Sequence, residues 1–506
     1  MAELEHLQAL PTPELSNMLN EIRSSDAGGS LRILSLIADR AEESQDYESV
    51  CKWQEEIISI ASEIEDFEAK ALALTKYGKA LFFLDKELEA IQKYQQARYF
   101  YENNFDDRKL LNCLVDEVDC YVYLDEQKKV IETAENALRI SRILEENKIS
   151  GEMAICLSDA YYHLGKNEDL DVLSENHKIS LEYAEEALLY FQTTGDVHDI
   201  VRATIEVCDT LNYLERYTEV DSRISEAIEA LEDSDIDKSS QITKSLLAKC
   251  HRLKGQILGN QGLHEEALKS LTSAHYVLDG ESDNYQSLAI IHWAKSDNYE
   301  ALGDSKLAIE EIQVAMRFAD KMHSKGLYFE IMDHLIKQLY SSDRDMEALF
   351  LSRGAMFEYE QNVQSQMPSA TYFEFIIRAS LCLHRLRRWQ ELLGLLDKVE
   401  NLRDFSIPVS KAVRIDALRA ECNFRLGHED QALEILDSIL NYGEIDQKDE
   451  DFGDSLIIRA ILISQVNPLS AKVDFELGVS ILNGIGRQRK VEGFIEEYPV
   501  LKSFLP

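Results

Sequence analysis

The residue types that most often carry catalysis occur in this chain without the spacing that catalysis requires. The 12 histidines are dispersed, and the sequence contains no glycine-rich phosphate loop, no H-E-x-x-H pair and no G-x-S-x-G motif. Carboxylates are so abundant that no two stand out as a general acid and a general base. The sequence therefore predicts a protein that is not an enzyme and that has no catalytic, cofactor-binding or metal-binding residues.

The cysteines are also spread over the whole chain. There are 8 of them and no C-x-x-C pair, so neither a disulfide framework nor a zinc site is expected. The N-terminal residues lack the basic start and apolar stretch of a signal peptide, and no apolar run is long enough to cross a membrane. These features predict a cytoplasmic protein with reduced, mostly buried thiols.

The charge balance restricts the classes of partner. The 506 residues include 53 Lys+Arg and 93 Asp+Glu, which gives a formal net charge of −40. So negative a chain is expected to bind neither nucleic acid directly nor an anionic membrane, and it favours partners with basic residues. With only 7 prolines and 21 glycines, the chain lacks the turn residues of a many-stranded sheet, which favours an all-α fold.

Four segments repeat one pattern, in which an apolar helix ends in a turn and a second helix follows with alanines at helical spacing. They begin at Gly78, Gly255, Asp297 and Phe424. The pattern resembles that of tetratricopeptide repeats, in which small residues let two helices approach closely and a glycine relieves the turn. The resemblance implies a right-handed α-α superhelix. The alternative is an unrelated helical-pair repeat of the HEAT type.

One small or apolar position of the second helix sets the register of the whole chain. It falls at Val50, Ala90, Val130, Ser180, Val220, Ala267, Ala308, Ala348, Leu392 and Ala432. This register predicts about ten helix pairs over residues 31–442, with a period of about forty residues. That period is longer than usual for the family and resembles its long-helix variants, such as kinesin-light-chain-like proteins.

The two ends and one insertion depart from the repeat. Residues 1–30 are expected to form a flexible segment with one short helix, residues 443–454 an acidic loop, and residues 455–506 helices that cap the last pair. The C-terminal stretch is alternatively a docking tail for a partner. Residues 166–175 are ten extra residues. They are either a polar loop that binds a partner or a variation in repeat length that has no function of its own.

In the family that the chain resembles, the first helices of the pairs line a concave groove that holds a peptide or a partner helix. The register places four aspartates and three tyrosines there, namely Asp119, Asp159, Asp209, Asp297, Tyr123, Tyr162 and Tyr213. Such a groove suits a protein or peptide with basic and apolar side chains, because acidic groups steer it and tyrosines supply contact area. The alternative is a solvated face of a very acidic protein. The family's clamp for chaperone tails needs Lys and Asn at these places, so a chaperone-tail receptor is disfavoured.

A smaller basic cluster consists of Arg378, Arg385, Arg387 and Arg388. It is either an ion-paired surface or a patch for an acidic partner. The function that we expect is a non-enzymatic scaffold or adaptor that binds a protein or peptide partner. The alternatives are a ligand-sensing or peptide-sensing regulator that controls a separate effector, and an enzyme or the receptor half of one, such as a subunit that restrains a separate effector.

Overall fold

The computed structural model describes residues 7, 10–23, 25–104, 106–164, 170–233, 236–278, 284–322, 325–362, 370–400, 409–440 and 450–505. These residues form α-helices and one 3₁₀ helix, and no strand occurs among them. The contacts divide the chain into two units, a first unit of residues 1–262 with 272–278 and a second unit of residues 263–271 with 279–506. The all-α expectation is confirmed, whereas the division into two units does not follow from the sequence pattern.

The helices of the first unit are numbered in chain order. They are α1 Thr12–Ile22, α2 Ala27–Glu43, α3 Tyr47–Glu63, α4 Phe67–Phe83, α5 Glu87–Asn103, α6 Asp107–Tyr123, α7 Gln127–Ile143, α8 Asn147–Leu164, α9 Leu170–Thr194, α10 Val197–Tyr213, α11 Tyr217–Glu232 and α12 Gln241–Asn260. Helix α13, His264–Leu278, contributes its last residues to this unit and its first residues to the second.

The second unit continues the numbering. Its helices are α14 Tyr285–Ala301, α15 Ser305–Ala319, α16 Gly326–Ser341, α17 Asp345–Asn362, α18 Ala370–Arg385, α19 Trp389–Glu400, α20 Val409–Leu426, α21 Glu429–Leu440, α22 Glu450–Ile463, α23 Pro468–Gly484 and α24 Gln488–Glu497. The 3₁₀ helix Pro499–Phe504 follows them.

The forty-residue period has a simple geometric origin. Most helices from α2 to α8 have 17 residues, and turns of three residues join them, so two helices and two turns complete one repeat. The middle residue of the turn takes the left-handed conformation, with φ near 57° at Gln45, Glu65, Asp85, Asp125 and Glu145. The sequence pattern assigns glycine to this turn. In these five turns a glutamine or an acidic residue occupies the position instead, although a side chain there costs roughly 1 kcal/mol.

The register predicted from the sequence matches the observed packing. All ten register positions from Val50 to Ala432 are at most 1% exposed. In the first unit α4, α6, α8, α10 and α12 contact one another as well as their sequence neighbours, so the first helices of successive pairs form one layer. Helices α16, α18, α20 and α22 do the same in the second unit. The resemblance to a tetratricopeptide-like helical repeat is therefore confirmed.

Glycine matters where two helices of a pair cross. A Cβ atom on Gly78 of α4 would lie 2.7 Å from the ring of Tyr94 on α5, and one on Gly151 would lie 2.7 Å from the ring of Phe191. Both rings are almost fully buried. The missing side chain thus lets a large aromatic ring fill the seam between the helices.

Three expected boundaries differ from the observed helices. Helix α2 begins at Ala27 with Asp26 as its N-cap, so residues 27–30 are helical rather than part of a flexible segment. Helix α9 begins at Leu170, so the later part of the insertion 166–175 extends a helix instead of forming a loop. Helix α22 begins at Glu450, inside the expected acidic loop, and residues 443–449 lie outside the described part of the chain.

The C-terminal residues pack against the second unit. Phe494, Leu501 and Phe504 are buried in one apolar cluster with Phe475 of α23. Arg425 of α20 makes an ion pair with Glu497 and donates a hydrogen bond to the hydroxyl of Tyr498 over 2.7 Å. This packing is what a cap over the last helices requires. Throughout the described residues, each helix is too short or too polar to cross a membrane.

Candidate partner-binding surface

The first unit carries a row of carboxylates on α6, α8 and α10, three helices that lie in one layer. We define the acidic wall as Asp116 and Asp119 of α6, Glu152 and Asp159 of α8, and Glu206 and Asp209 of α10. Three of them, Asp119, Asp159 and Asp209, are predicted from the sequence. The other three stand one or two turns nearer the N-terminus of the same helices, so helical spacing from the predicted residues could have found them.

Two carboxylates of the acidic wall, those of Asp116 and Glu206, hold their protons much more tightly than ordinary carboxylates. Burial, reinforced by the charge of Asp119, raises the pKa of Asp116 to about 7. Burial, together with Asp209 and Asp159, raises the pKa of Glu206 to about 8. A positive charge close to these carboxylates therefore stabilises their ionised form.

The same trend extends to three further carboxylates of the acidic wall and to one thiol beside it. Burial raises the pKa values of Asp119, Glu152 and Asp209. Burial, with the charges of Asp119 and Asp159 as secondary causes, raises the pKa of the Cys156 thiol to about 12, so this thiol is protonated and unreactive at neutral pH.

Cations approach the acidic wall at its two ends. Arg252 of α12 lies 3.6 Å from a carboxylate oxygen of Asp209 and donates a hydrogen bond to Gln256 over 2.6 Å. At the other end Lys79 of α4 lowers the pKa of Asp116, which opposes the effect of burial. In the middle, Asp159 is half exposed and lies 3.3 Å from the ring nitrogen Nε2 of His163. Of the three predicted aspartates, Asp209 is therefore already partly neutralised by the protein itself.

Two groups of aromatic side chains flank the acidic wall. The aromatic cluster consists of Tyr162 of α8, His177 of α9 and Tyr213 of α10. Tyr162 meets the ring of His177 edge-on at 5.1 Å and that of Tyr213 at 6.0 Å. Burial and the nearby charge of Asp209 raise the pKa of Tyr162 to about 12, so its hydroxyl is a hydrogen-bond donor at neutral pH. His177 is a member that sequence reasoning missed, because it belongs to the second helix of its pair.

The third predicted tyrosine, Tyr123, belongs to a different group. Its ring meets Phe82 edge-on at 6.1 Å, Phe82 meets Phe83 at 5.9 Å, and Phe83 stacks on Tyr47 at 4.6 Å. We call Tyr47, Phe82, Phe83 and Tyr123 the aromatic row. Tyr123 and Phe83 are at least half exposed, so they offer apolar contact area beside α6.

The fourth predicted aspartate, Asp297, lies in α14 of the second unit and not with the other three. Its carboxylate is 3.0 Å from Nε2 of His334 on α16. The regular register of the sequence does not reveal that the first helices are divided between two units.

The arginines of the basic cluster are engaged within the second unit. Arg378 lies 3.2 Å from Asp333. Arg385 lies 2.9 Å from Asp345 and 3.6 Å from the centre of the Tyr340 ring. Arg388 pairs with Glu391 one turn along α19. Arg387 is exposed and takes the left-handed turn conformation. These ion pairs favour the structural interpretation of the cluster, and a role in binding an acidic partner stays a prediction.

Comparison with solved structures finds helical-repeat proteins. The structure is similar to the apo form of RapI, with 14% identity, 57% of this chain and 98% of that chain covered, and a TM-score of 0.44. It is similar to a signal-transduction ATPase with a tetratricopeptide repeat sensor from Pyrococcus horikoshii, with 14% identity, coverage of 76% and 55%, and a TM-score of 0.43. It is also similar to human IFIT1, solved as a dimer with m7Gppp-AAAA, with 12% identity, coverage of 93% and 94%, and a TM-score of 0.41.

No protein-family model matches the sequence, and no curated protein matches it. The likeness to solved structures concerns the fold alone.

Proposed function

We propose that this protein is a non-enzymatic scaffold whose first unit binds an extended segment of a partner protein or peptide across the acidic wall. The observation that carries the proposal is the row of carboxylates with raised pKa values on three neighbouring helices. Burial makes the ionised form of these carboxylates unfavourable. A cationic ligand that pairs with them stabilises the ionised form, and this gain favours binding.

The chemistry of the partner follows from the two kinds of side chain on this surface. The acidic wall suits Lys or Arg, and the exposed rings of Tyr123 and Tyr213 suit aliphatic or aromatic residues. Neighbouring packed helices lie about 8–10 Å apart, so three helices span roughly 20 Å. An extended chain advances about 3.3 Å per residue, so the wall accommodates about six residues of the partner.

The test uses the full chain and an array of synthetic peptides of varied composition. We expect the peptides that bind to be rich in Lys or Arg and in aliphatic or aromatic residues. The double variant Asp119→Lys with Asp159→Lys reverses the charge at the centre of the wall and is expected to abolish this preference. Its matched control is Asp221→Lys with Glu229→Lys, two exposed residues of α11 with the same change of charge.

Two outcomes contradict the proposal. One is a set of bound peptides with no excess of basic residues. The other is an equal loss of binding in the control variant, which would show a non-specific effect of net charge. The alternative of a peptide-sensing regulator makes a separate prediction, a change in radius of gyration on peptide binding. Small-angle X-ray scattering on the same complexes measures that change.

A further inference from the structure

A cluster of three possible metal ligands bridges two helices of the second unit. Asp297 and Glu300 stand three residues apart on α14, so they share a face of that helix, and His334 reaches them from α16. Nε2 of His334 lies 3.0 Å from Oδ1 of Asp297 and 3.9 Å from Oε2 of Glu300. One ligand atom from each residue lies within 4.8 Å of the other two.

The hydrogen bonds around His334 conflict with one another. Its Nε2 faces a carboxylate of Asp297, which can only accept, and also the amide nitrogen of Gln338 at 3.1 Å, which can only donate. An imidazole nitrogen carries either a proton or a lone pair, so one of the two contacts is unfavourable in each state. A cation that binds the lone pair of Nε2 and the carboxylate together removes the repulsion between these two acceptors.

The side chain of Gln338 supplies a second observation. It is only 3% exposed, and its oxygen Oε1 has no hydrogen-bond partner. Its nitrogen Nε2 donates to Oγ of Ser296 over 2.7 Å and lies 3.5 Å from Oε2 of Glu300. Rotation of the amide by half a turn would bring the oxygen against His334 and Glu300 and would remove the conflict at His334, but it would give up the hydrogen bond that Nε2 donates to Ser296. The amide of Gln338 thus borders the cluster, and its oxygen has no hydrogen-bond partner.

We propose that Asp297, Glu300 and His334 form a binding site for a divalent transition-metal ion such as Zn²⁺ or Mn²⁺, with Gln338 as its supporting neighbour. One imidazole with two carboxylates suits these ions better than Ca²⁺ or Mg²⁺, which prefer oxygen ligands alone. Bonds of about 2.1 Å place adjacent ligand atoms about 3.0–3.4 Å apart. The contact between His334 and Asp297 already has this length, and Glu300 can close the remaining gap because its side chain is 39% exposed and free to rotate.

Such an ion would act on the scaffold itself. It would hold α14 to α16 by bonds that are stronger than a single ion pair, and it would neutralise Asp297, one of the aspartates that the sequence predicts for the partner-binding face. Metal occupancy would therefore set both the rigidity and the local charge of the second unit. This site is independent of the acidic wall, which lies in the first unit.

The experiment titrates the full chain, freed of metal with a chelator and then desalted, with ZnCl₂ and separately with MnCl₂ in a calorimeter. We expect one bound ion per chain. Glu300→Gln and His334→Gln each remove a ligand and should weaken binding more than about 100-fold. Gln338→Leu removes a supporting neighbour and should weaken it by about 10- to 100-fold. Mn²⁺ is included because it disfavours thiolates, so the free cysteines do not bind it well.

The control is His384→Gln, which removes another histidine of the second unit that contacts a carboxylate. Nε2 of His384 lies 2.8 Å from Oε2 of Glu421, and among the described residues the three-ligand spacing occurs only at Asp297, Glu300 and His334. We expect this variant to bind the ions as the wild-type chain does. The proposal is wrong if neither ion binds, if Glu300→Gln and His334→Gln bind normally, or if His384→Gln loses as much affinity as they do. Circular dichroism without metal checks that each variant is folded.

Discussion

The imidazole of His177 stacks on the ring of Tyr213, with ring centres 3.8 Å apart and planes inclined by 14°. His177 is 1% exposed, whereas Tyr213 is 47% exposed. A buried residue of α9 therefore supports a partly exposed ring on α10, and Tyr162 of α8 closes the group edge-on. This arrangement holds Tyr213 in one orientation beside the acidic wall. The entropic cost of ordering this side chain when a ligand binds is therefore lower.

The aromatic cluster leads to a prediction about both binding and stability. Tyr213→Leu removes the exposed ring and should weaken binding of the selected basic peptides by about 3- to 10-fold, because an aromatic contact contributes about 0.5–1.5 kcal/mol. The free energy of unfolding should also fall, by about 0.5–1.5 kcal/mol, because the stack on His177 and the edge contact with Tyr162 are lost. Tyr276→Leu, at a tyrosine of α13 that is 80% exposed, is the control and should change neither quantity. Fluorescence anisotropy of a labelled peptide and urea denaturation measure the two effects.

The raised pKa of Glu206 predicts a stability that depends on pH. A carboxyl whose pKa is about 8 when folded and near its ordinary value when unfolded is neutral in both states at low pH. As the pH rises from the ordinary pKa of a glutamate to about 8, the carboxyl ionises in the unfolded state but stays protonated in the folded state. The wild-type chain therefore loses stability over this range. Glu206→Gln should therefore be more stable than wild type by about 2–4 kcal/mol at pH 9 and equal to it below about pH 4.

Urea denaturation over this pH range measures the difference. Glu229→Gln, at an exposed residue of α11, serves as the control and should run parallel to wild type at every pH. A constant difference in the free energy of unfolding between Glu206→Gln and wild type across the whole range would contradict the prediction. It would show that the pKa of Glu206 is the same in the folded and unfolded states.

The close approach at Gly78 predicts opposite effects for the same substitution at two glycines. Gly78→Ala places a methyl group 2.7 Å from the buried ring of Tyr94, so the crowding outweighs the gain in helix propensity. We expect a loss of about 1–2 kcal/mol in the free energy of unfolding. Gly354→Ala in α17 has no atom within 4 Å of the new methyl group and should instead stabilise the chain by about 0.5–1 kcal/mol. Losses at both positions would contradict the steric argument.

A buried ion pair in the first unit can be tested by a double-mutant cycle. Glu117 of α6 is 1% exposed, and its carboxylate accepts a hydrogen bond from Arg98 of α5 over 3.0 Å. Arg98→Met leaves this carboxylate buried without its cation and should cost about 3–5 kcal/mol. Adding Glu117→Gln removes the charge, keeps an acceptor for Tyr121 and Gln95, and should recover most of the loss. Additive effects of the two changes would exclude a coupled pair.

Much of the architecture can be read from the sequence because each repeat is a local unit. The positions from Val50 to Ala432 identify the buried seam of every pair, since a small or apolar residue at fixed spacing has the same neighbours in each repeat. Helix boundaries are less predictable. The turn at Glu65 or Asp125 has no glycine to mark it, and the start of α2 depends on a cap by Asp26 just before two glycines.

The candidate site could be predicted only in part. Asp119, Asp159 and Asp209 follow from the register, but their partners come from other helices. Arg252, which partly neutralises Asp209, reaches it from the next pair, and His177 belongs to the second helix of its own pair. A periodic pattern also does not show which acidic groups lie in the same unit. Asp297 is an example, because it lies in the second unit and pairs with His334 there.

By itself the sequence determined the all-α class, the forty-residue repeat and the residues of the seam, because these follow from the periodic spacing of small and apolar side chains along single helices. Only the tertiary structure decided the division into two units, the pKa values of the acidic wall and the cluster at His334. Each of these depends on burial and on distances between side chains of different helices, and such distances are set by packing rather than by spacing along the chain.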